Sequence, residues 1–332
     1  MATGGYQIRE SAVSSIGRRS RLTQSYISHM AISVVIPTKN RIDALRRTID
    51  AVANQDLGGH RAEIIVVDNG STDGTMQWLS EMGSQLPIEL KMVVEPRPGV
   101  SAARNTAVRQ AQFDLVLFLN DDTTPADASL LGAHIAAHAD ACGKEIAVLG
   151  RITYPPADLA NPFMRWLNDD AQFDYARLDS GESPHASHFF TAHISFPRAA
   201  YVRAGGMDER LQFGFEDAAL GHRMELQGVS INYHPELIVY HHHKIAPSEW
   251  HQRGRVMGRA GWHINHIYQV DPPLAEPAIT PYWGALATAS SILALSPTNW
   301  AWLPSPIREW VYSVVHLGSY ARGYRESARA RH

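Results

Sequence analysis

The chain of 332 residues contains a single cysteine, Cys142, which excludes an intramolecular disulfide and a cysteine-rich zinc site. No apolar run reaches the roughly 18–20 residues that cross a bilayer. The 30 basic and 33 acidic side chains leave a formal net charge of -3, without the positive excess typical of proteins that bind nucleic-acid phosphates. We therefore expect a cytoplasmic protein with no nucleic-acid partner.

The glycine-rich phosphate loops of two common enzyme classes are also absent. Residues 33–41, SVVIPTKNR, have the pattern of a first strand and its loop, but they contain no G-x-G-x-x-G. This absence disfavours a dinucleotide-dependent oxidoreductase. The same loop lacks any glycine, which disfavours a sugar-phosphate nucleotidyltransferase, because that enzyme would need a glycine-rich basic loop after its first strand.

Short β-branched runs alternate with helical spacings of apolar residues in the first part of the chain. The runs predict strands over 31–36, 63–67, 89–94 and 114–119. Strands that are apolar on both faces and separated by helices indicate an α/β fold with a Rossmann-like, mostly parallel central sheet flanked by helices. Ligands of such sheets bind beyond the carboxyl ends of the strands. The residues expected at those ends are 37–41, 68–71, 96–104 and 120–122.

The second half of the chain predicts a smaller mixed sheet followed by a helical C-terminal extension. Short strands are predicted over 146–154, 189–196, 229–233 and 237–241, and a helix over 216–227. Residues 155–188 have weak periodicity and predict a long functional loop or lid. The chain then divides into four parts: a flexible tail (1–30), a first half (31–150), a second half (151–245) and the extension (246–332).

Two adjacent carboxylates, Asp121 and Asp122, follow the predicted strand 114–119. Carboxylates at the end of a buried strand repel each other unless a cation or a donor lies between them. Oxygen ligands without thiols favour Mg²⁺ or Mn²⁺. The alternative to a metal site is a turn in which an aspartate caps the following helix.

Three consecutive histidines, residues 241–243, follow an apolar predicted strand. Strand alternation places His241 and His243 on one face, where an imidazole can complete the coordination sphere of a metal that carboxylates also bind.

A second acidic pair, Glu216 and Asp217, begins a predicted helix after a glycine-containing loop. The helix dipole favours acidic residues in a first turn, so the pair has a structural interpretation as caps. A carboxylate in this position is also suited to act as general base for a hydroxyl.

Two more residues have alternative interpretations. Asp68 is either the cap of a turn or a group that binds a base or ribose. Arg104 pairs with a phosphate or with Asp68, or it is a solvated surface arginine.

Aromatic and basic residues are concentrated near the C-terminus. Apolar segments at 283–295 and 310–317 are followed by Arg322, Arg325 and Arg329. Helices of this composition suit peripheral contact with a membrane, at its inner face for a cytoplasmic protein. They suit a homodimer interface or a cover for the core equally well, so the alternatives stay open.

Taken together and in this order, the segments resemble the inverting family 2 glycosyltransferases of GT-A fold. The matching motifs are SVVIPTKNR (33–41), IIVVDNGSTDGT (64–75), GVSAARN (99–105), FLNDD (118–122), GGMDERLQFGFEDAALGHRM (205–224) and the three histidines that end the match. The segment 205–224 is similar to the acceptor-side segment of galactosyltransferase-like members. The resemblance implies that residues 31–150 bind a nucleotide sugar and that residues 151–245 bind the acceptor.

The resemblance also implies roles for matching residues. The nucleotide-binding positions are Pro37, Thr38, Asn40, Arg41, Asp68, Arg104, Asn120 and Asp121. Asp122 would bind the metal, with His241 or His243 as a further protein ligand. Asp217 would be the catalytic base, and Glu216 would orient the acceptor. The first residue of the DXD position is Asn120 rather than aspartate, and its amide can still hydrogen-bond a ribose hydroxyl without carrying a charge.

Four residues are candidates for contact with the substrate. Trp166 lies in the segment 155–188 and would stack on a sugar, with simple packing as the alternative, and His193 beside that segment is a candidate to hydrogen-bond one. Gly214 and Phe215 precede the second acidic pair and belong to the acceptor-side segment. Specificity is expected to depend on side chains of the irregular segment 155–188.

The function implied by the resemblance is transfer of a sugar from a UDP- or GDP-sugar to a hydroxyl of a glycan, lipid-linked or small-molecule acceptor. Mn²⁺ or Mg²⁺ would assist, and the anomeric configuration would invert. A retaining GT-A enzyme that does not use Asp217 as base, and a catalytically silent sugar-nucleotide-binding protein, stay as alternatives. A processive polysaccharide synthase is disfavoured because Arg165-Trp166 precedes the acidic pair instead of following it.

Overall fold

The computed structural model describes residues 30–330 apart from residues 174, 212, 271–272, 276–280, 294–299 and 301. The predicted tail lies outside the described residues except for Met30. Eight strands form one sheet in the order β3-β2-β1-β4-β7-β6-β8-β5. The strands are β1 (Ala31–Thr38), β2 (Arg61–Asp68), β3 (Glu89–Val94), β4 (Leu115–Leu119), β5 (Thr123–Pro125), β6 (Ile146–Thr153), β7 (His193–Pro197) and β8 (Ser230–His241).

The first four strands in the sheet order are parallel, as the alternation of strands and helices predicted. The helices between and after them are α1 (Ile42–Ala53), α2 (Thr75–Met82), α3 (Val100–Gln110) and α4 (Leu130–Asp140). Helix α1 buries Leu45, Ile49 and Val52, which share one face at helical spacing. Every residue of β4 is buried, so this strand lies in the centre of the core. Strand β1 continues through Pro37 and Thr38, two residues beyond its predicted end.

The second half of the chain extends the same sheet. Strand β7 is antiparallel to both β4 and β6, β6 is parallel to β8, and β8 is antiparallel to β5. The mixed part predicted as a smaller sheet is therefore hydrogen-bonded to the parallel part. Strand β8 is a single strand of 12 residues where two were predicted, and its pairing with β6 shifts register between Gly150 and Arg151.

The segment 155–188 is a series of short helices, so the prediction of an irregular loop was wrong. It contains α5 (Pro162–Trp166) and α6 (Tyr175–Asp179), a π-helical turn (Leu167–Ala171), and 3₁₀ turns at Asp158–Ala160 and Ala186–His188. The side chain of Asn161 caps α5 by accepting from the backbone N–H of Phe163. Helices of five residues are too short to show a 3.6-residue period, which explains why the sequence pattern missed them.

Four helices complete the described fold: α7 (Arg198–Arg203), α8 (Glu216–Glu225), α9 (Pro247–Tyr268) and α10 (Pro281–Leu293), before the long C-terminal α11 (Ser305–Arg329). Helices α9 and α11 cross in backbone contact. A Cβ atom added to Gly258 would lie 1.9 Å from the carbonyl oxygen of Tyr320, and one added to Gly323 would lie 1.9 Å from that of Arg255. Among the described residues, no helix is long and apolar enough to cross a membrane.

Candidate active site

The parallel strands bring three of the predicted ligand-binding segments to one edge of the sheet. Thr38 at the end of β1 is paired in register with Asp68 at the end of β2. Strand β4, the other neighbour of β1, ends at Leu119, so Asn120 and the two aspartates follow at the same edge. The strand ends predicted from apolar runs therefore converge, as expected for a parallel sheet.

Asp121 and Asp122 are both buried and share one arginine. Arg41 Nη1 lies 3.1 Å from Asp121 Oδ1, and Arg41 Nη2 lies 2.5 Å from Asp122 Oδ2. Thr38 Oγ1 donates to Asp121 Oδ2 at 2.8 Å, and Thr48 Oγ1 donates to its backbone carbonyl at 2.9 Å. Burial raises the pKa of Asp121 to about 6, against the opposing charge of Arg41 and with the repulsion of Asp122. One cation therefore lies between adjacent carboxylates, as their repulsion requires.

The histidines that end β8 reach the same carboxylate. His241 Nε2 lies 3.3 Å and His243 Nδ1 lies 3.8 Å from Asp122 Oδ2. His242 faces the other way and its Nε2 lies 2.7 Å from Thr124 Oγ1. The predicted alternation of the three histidines is therefore confirmed. Burial by itself would raise the pKa of Asp122. The pKa is nevertheless below its ordinary value, because His241 and Arg41 both hydrogen-bond the carboxylate and favour its charged form.

The donors around Asp122 fit a divalent cation in part. Within the described part of the chain, Asp122 Oδ1 and His241 Nδ1 are buried without a hydrogen-bond partner. A carboxylate oxygen and an imidazole nitrogen are a donor set that suits Mn²⁺. Among the described residues, however, no group of three or more histidine, cysteine, aspartate or glutamate side chains is arranged to hold a metal ion. The protein thus offers two or three donors in contact, and a bound ligand would have to supply the others.

Asp68 and Asn40 shape the loop between β2 and α2. Asp68 accepts hydrogen bonds from the backbone N–H groups of Gly70 and Ser71, at 3.3 and 3.1 Å. Asn40 has a positive φ of 52°. Its backbone N–H donates to Ser71 Oγ at 2.8 Å, and its Oδ1 accepts from the backbone N–H of Thr72 at 2.6 Å. The interpretation of Asp68 as a turn cap describes these contacts, and its binding of a base or ribose stays a prediction.

Arg104 lies between the two acidic pairs. Its side chain is buried, and its Nη2 donates to Asn120 Oδ1 at 3.0 Å and to the carbonyl of Thr191 at 3.4 Å. Burial lowers the pKa of Arg104, and the charges of Glu216 and Asp217 oppose this change, as does the charge of Asp121 from the first pair. The interpretation of Arg104 as a solvated surface residue was therefore wrong.

The second acidic pair begins helix α8 as predicted. Phe215, with φ 63°, and Gly214, with φ 92°, turn the chain into the helix. Asp217 is half-buried, and its Oδ1 accepts from the backbone N–H of Ala218 at 2.8 Å. Burial, followed by the charge of Glu216, raises the pKa of Asp217 to about 7. A carboxylate with this pKa is suited to proton transfer near neutral pH.

Three of the four candidates for substrate contact, Trp166, Gly214 and Phe215, have different surroundings. Trp166 is 5% exposed and packs against Phe163 and Tyr312, with ring centroids 5.7 and 5.3 Å apart, so the packing alternative describes its environment. A Cβ at Gly214 would lie 2.9 Å from Met257 Sδ, so this glycine lets the loop approach α9 closely. Phe215 is partly buried and packs against two hydrophobic clusters, one that contains Trp262 and Tyr320 and one that contains Leu211 and Ile264. Contact of these residues with a sugar stays a prediction.

Contacts between distant residues add features that the sequence pattern did not indicate. His193 is fully buried, so the idea that it contacts a sugar was wrong. Glu249, at the start of α9, lies 3.1 Å from His243 Nε2. Asn105 Oδ1 accepts from the backbone N–H of Met207 at 2.8 Å, which joins the GVSAARN helix to the GGMDE loop. Asn105 belongs to the matching motif GVSAARN, whereas Glu249 lies after the last matching motif and had no signal in the sequence.

Comparison with known proteins gives the family. Residues 33–196 match the profile of the family described as Glycosyl transferase family 2. The pre-mycofactocin glycosyltransferase of Mycobacterium tuberculosis is 30% identical over 236 residues, which are 70% of this chain and 47% of that protein. The validoxylamine A glucosyltransferase of Streptomyces hygroscopicus is 28% identical over 226 residues, which are 61% of this chain and 53% of that protein. The chain spans about half the length of these relatives.

Solved structures show the same architecture. The mannosyltransferase PcManGT from Pyrobaculum calidifontis, solved with GDP-Man and Mn²⁺, has a TM-score of 0.64 at 20% identity, covering 89% of this chain and 86% of that one. TarS of Staphylococcus aureus has a TM-score of 0.51 at 16% identity, covering 90% and 55%. The fold is therefore that of a GT-A glycosyltransferase. With the profile match and the related sequences, the chain belongs to the family 2 glycosyltransferases.

Proposed function

We propose that the protein transfers a sugar from a nucleotide-diphosphate sugar, UDP- or GDP-linked, to an acceptor hydroxyl with inversion. The observation that carries the proposal is the position of Arg104, which hydrogen-bonds Asn120 and whose charge acts on Asp121, Glu216 and Asp217. The pairs Asp121-Asp122 and Glu216-Asp217, 95 residues apart in the chain, therefore both have a member within the electrostatic range of one buried guanidinium. In this proposal residues 31–150 bind the donor, and residues 151–245 bind a glycan, lipid-linked or small-molecule acceptor.

The donor side needs groups that bind a base, a ribose and a diphosphate. Pro37, Thr38, Asn40, Arg41 and Asp68 lie at the ends of β1 and β2 and are proposed to surround the nucleotide. Asn120 and Asp121 are proposed to face the ribose. Asp122, with His241 or His243, would hold Mn²⁺ or Mg²⁺, which when bound neutralises charge that develops on the leaving diphosphate.

The acceptor side needs a base, because the pKa of a sugar hydroxyl lies far above 7. Asp217 is proposed to accept this proton, and its raised pKa makes it a stronger base than an ordinary aspartate. Glu216, whose Oε2 has no hydrogen-bond partner within the described residues, is proposed to orient the hydroxyl. As the proton leaves, the hydroxyl oxygen would attack the anomeric carbon from the face opposite the diphosphate, whose bond to that carbon breaks, and this gives inversion. Holding both substrates in line lowers the barrier further.

The test is Asp217→Asn, with Glu225→Gln at the other end of α8 as the matched control. We expect kcat to fall by about 100-fold or more, as for the loss of a general base, while nucleotide affinity stays within about twofold. In the wild type, kcat/KM should decline below about pH 7, because a protonated Asp217 cannot accept the proton. Retention of most of the activity in Asp217→Asn, or a product with retained configuration, would contradict the assignment of the base.

We extend the proposal to the C-terminal extension, which exposes Trp302, Ile307 and Trp310. Ile307 and Trp310 lie three residues apart on α11 and therefore on one helix face. Exposed aromatic surfaces suit peripheral contact with the inner face of the cytoplasmic membrane, or a homodimer. Sedimentation with anionic vesicles supports the first, and a dimer that Trp310→Ala dissociates supports the second. A protein that is monomeric and does not sediment with the vesicles would contradict both.

A further inference from the structure

Arg41 contacts the same side chains that are proposed to hold the divalent cation. Its two terminal nitrogens lie 3.1 Å from Asp121 Oδ1 and 2.5 Å from Asp122 Oδ2, so a single positive charge spans both carboxylates. The nitrogen on Asp122 also lies 3.4 Å from His243 Nδ1. The guanidinium therefore lies on the Oδ2 side of Asp122, where His241 Nε2 and His243 Nδ1 also lie, and a divalent cation held between these atoms would have to displace it.

The backbone on both sides of Arg41 is fixed, whereas its side chain reaches solvent. The backbone N–H of Asn40 donates to Ser71 Oγ at 2.8 Å, and that of Ile42 donates to Asp73 Oδ2 at 3.0 Å. The side chain of Arg41 is 38% exposed, against 2% for that of Asp122. The guanidinium can therefore leave the carboxylates by side-chain rotation, without a change in the backbone or in the buried partners.

We propose that Arg41 is a tethered counter-ion, which pairs with Asp121 and Asp122 until a nucleotide diphosphate and a divalent cation bind together. Two cations at Asp122 Oδ2 would repel each other, so the guanidinium must move when a divalent ion arrives. A diphosphate offers the guanidinium a second anionic partner, since its planar fork suits phosphate oxygens. This inference rests on the proposed function, because it takes the donor to be a nucleotide-diphosphate sugar.

The arrangement makes the two ligands depend on each other. Without nucleotide, a divalent cation has to displace Arg41 from the carboxylates, and Arg41 then has no other anion to contact. The affinity of the protein for the cation is therefore low. With nucleotide, Arg41 exchanges one anion for another, and the cation gains the phosphate oxygens as well. Thermodynamic linkage requires the cation to increase nucleotide affinity by the same factor.

The test measures binding of Mn²⁺ alone, from the electron paramagnetic resonance signal of the free ion. The proteins are wild type, Arg41→Gln and, as matched control, Arg47→Gln, which changes an exposed arginine on α1, the helix that begins directly after Arg41. We expect Arg41→Gln to bind Mn²⁺ about tenfold or more tightly than wild type, because a hydrogen bond between charged groups is worth about a factor of ten or more. Arg47→Gln should bind as wild type does. The gain should vanish in Arg41→Gln combined with Asp122→Asn, and a gain that persists there would overturn the proposal.

The second measurement repeats the titration with saturating UDP or GDP. The factor by which nucleotide increases Mn²⁺ affinity should be about tenfold smaller in Arg41→Gln than in wild type. If Arg41→Gln does not fold, Arg41→Lys keeps the charge and loses the fork, and it should show a smaller gain. Unchanged Mn²⁺ affinity in a folded variant would overturn the counter-ion role, even if wild type transfers sugar normally. Failure of wild type to bind UDP or GDP would instead contradict the proposed function, while the Mn²⁺ gain alone would still support the competition.

Discussion

Replacing His193 by glutamine should remove part of the acid sensitivity of the fold. His193 on β7 and His134 on α4 are fully buried, with their Nε2 atoms 2.9 Å apart. A Cβ added to Gly150 on the adjacent strand would lie 2.0 Å from the His193 ring, so the imidazole is closely enclosed. Burial lowers the pKa of His193 to about 3, so the ring stays neutral in the folded protein at any mild pH.

The sign and size of the effect follow from this pKa. The unfolded chain takes up a proton at His193 near its ordinary pKa of 6.5, whereas the folded protein does not until about pH 3. The free energy of unfolding therefore falls as the pH drops below 6.5, by about 1.4 kcal/mol for each pH unit. Between pH 7.5 and 5.5, His193 should account for a loss of about 1.4 kcal/mol, because only the lower of these two units lies below the unfolded pKa.

The assay is urea unfolding of wild type and His193→Gln at several pH values, followed by circular dichroism. Asp217 has a raised pKa and acts in the opposite direction, but it is present in both proteins and cancels in their difference. Glutamine keeps a polar group beside His134. We expect the stability advantage of wild type to shrink by about 1.4 kcal/mol from pH 7.5 to 5.5. The exposed His263, changed to glutamine, is the control. A difference between wild type and His193→Gln that does not vary with pH would refute a buried neutral imidazole.

Two further variants test the metal site and the helix crossing. Asp122→Ala should lower Mn²⁺-dependent nucleotide affinity by at least about tenfold in a binding titration, and an unchanged Mn²⁺ dependence would remove Asp122 from the site. Gly258→Ala should lower the free energy of unfolding by about 1–3 kcal/mol, because its methyl group would overlap the carbonyl of Tyr320. Gly132→Ala on α4, where the nearest atom is 3.5 Å away, is the matched control, and equal stability of the two variants would contradict the close crossing.

Local patterns were sufficient to predict much of the fold and which strand ends lie together at one edge of the sheet. The β-branched runs predicted β1 to β4 to within two residues at each end, and the helical spacings between them predicted that helices separate the strands. Because parallel strands bring their carboxyl ends to one edge, the positions of Asp68 and Asn120 on one edge followed from the strands. The alternation of His241 and His243 also held, since a strand places every second side chain on the same face. The short helices of 155–188 were not predicted, because five residues show no period.

The amino-acid sequence by itself determined which residues form strands and helices, which strand ends carry carboxylates, and which family the motifs resemble. Only the tertiary structure decided that Arg41 pairs with both Asp121 and Asp122, that Arg104 is buried near both acidic pairs, and that Trp166 packs in an aromatic cluster. The physical reason is that backbone periodicity is a local property of neighbouring residues. Burial, ion pairing and pKa depend on side chains from distant segments, whose arrangement arises only when those segments pack.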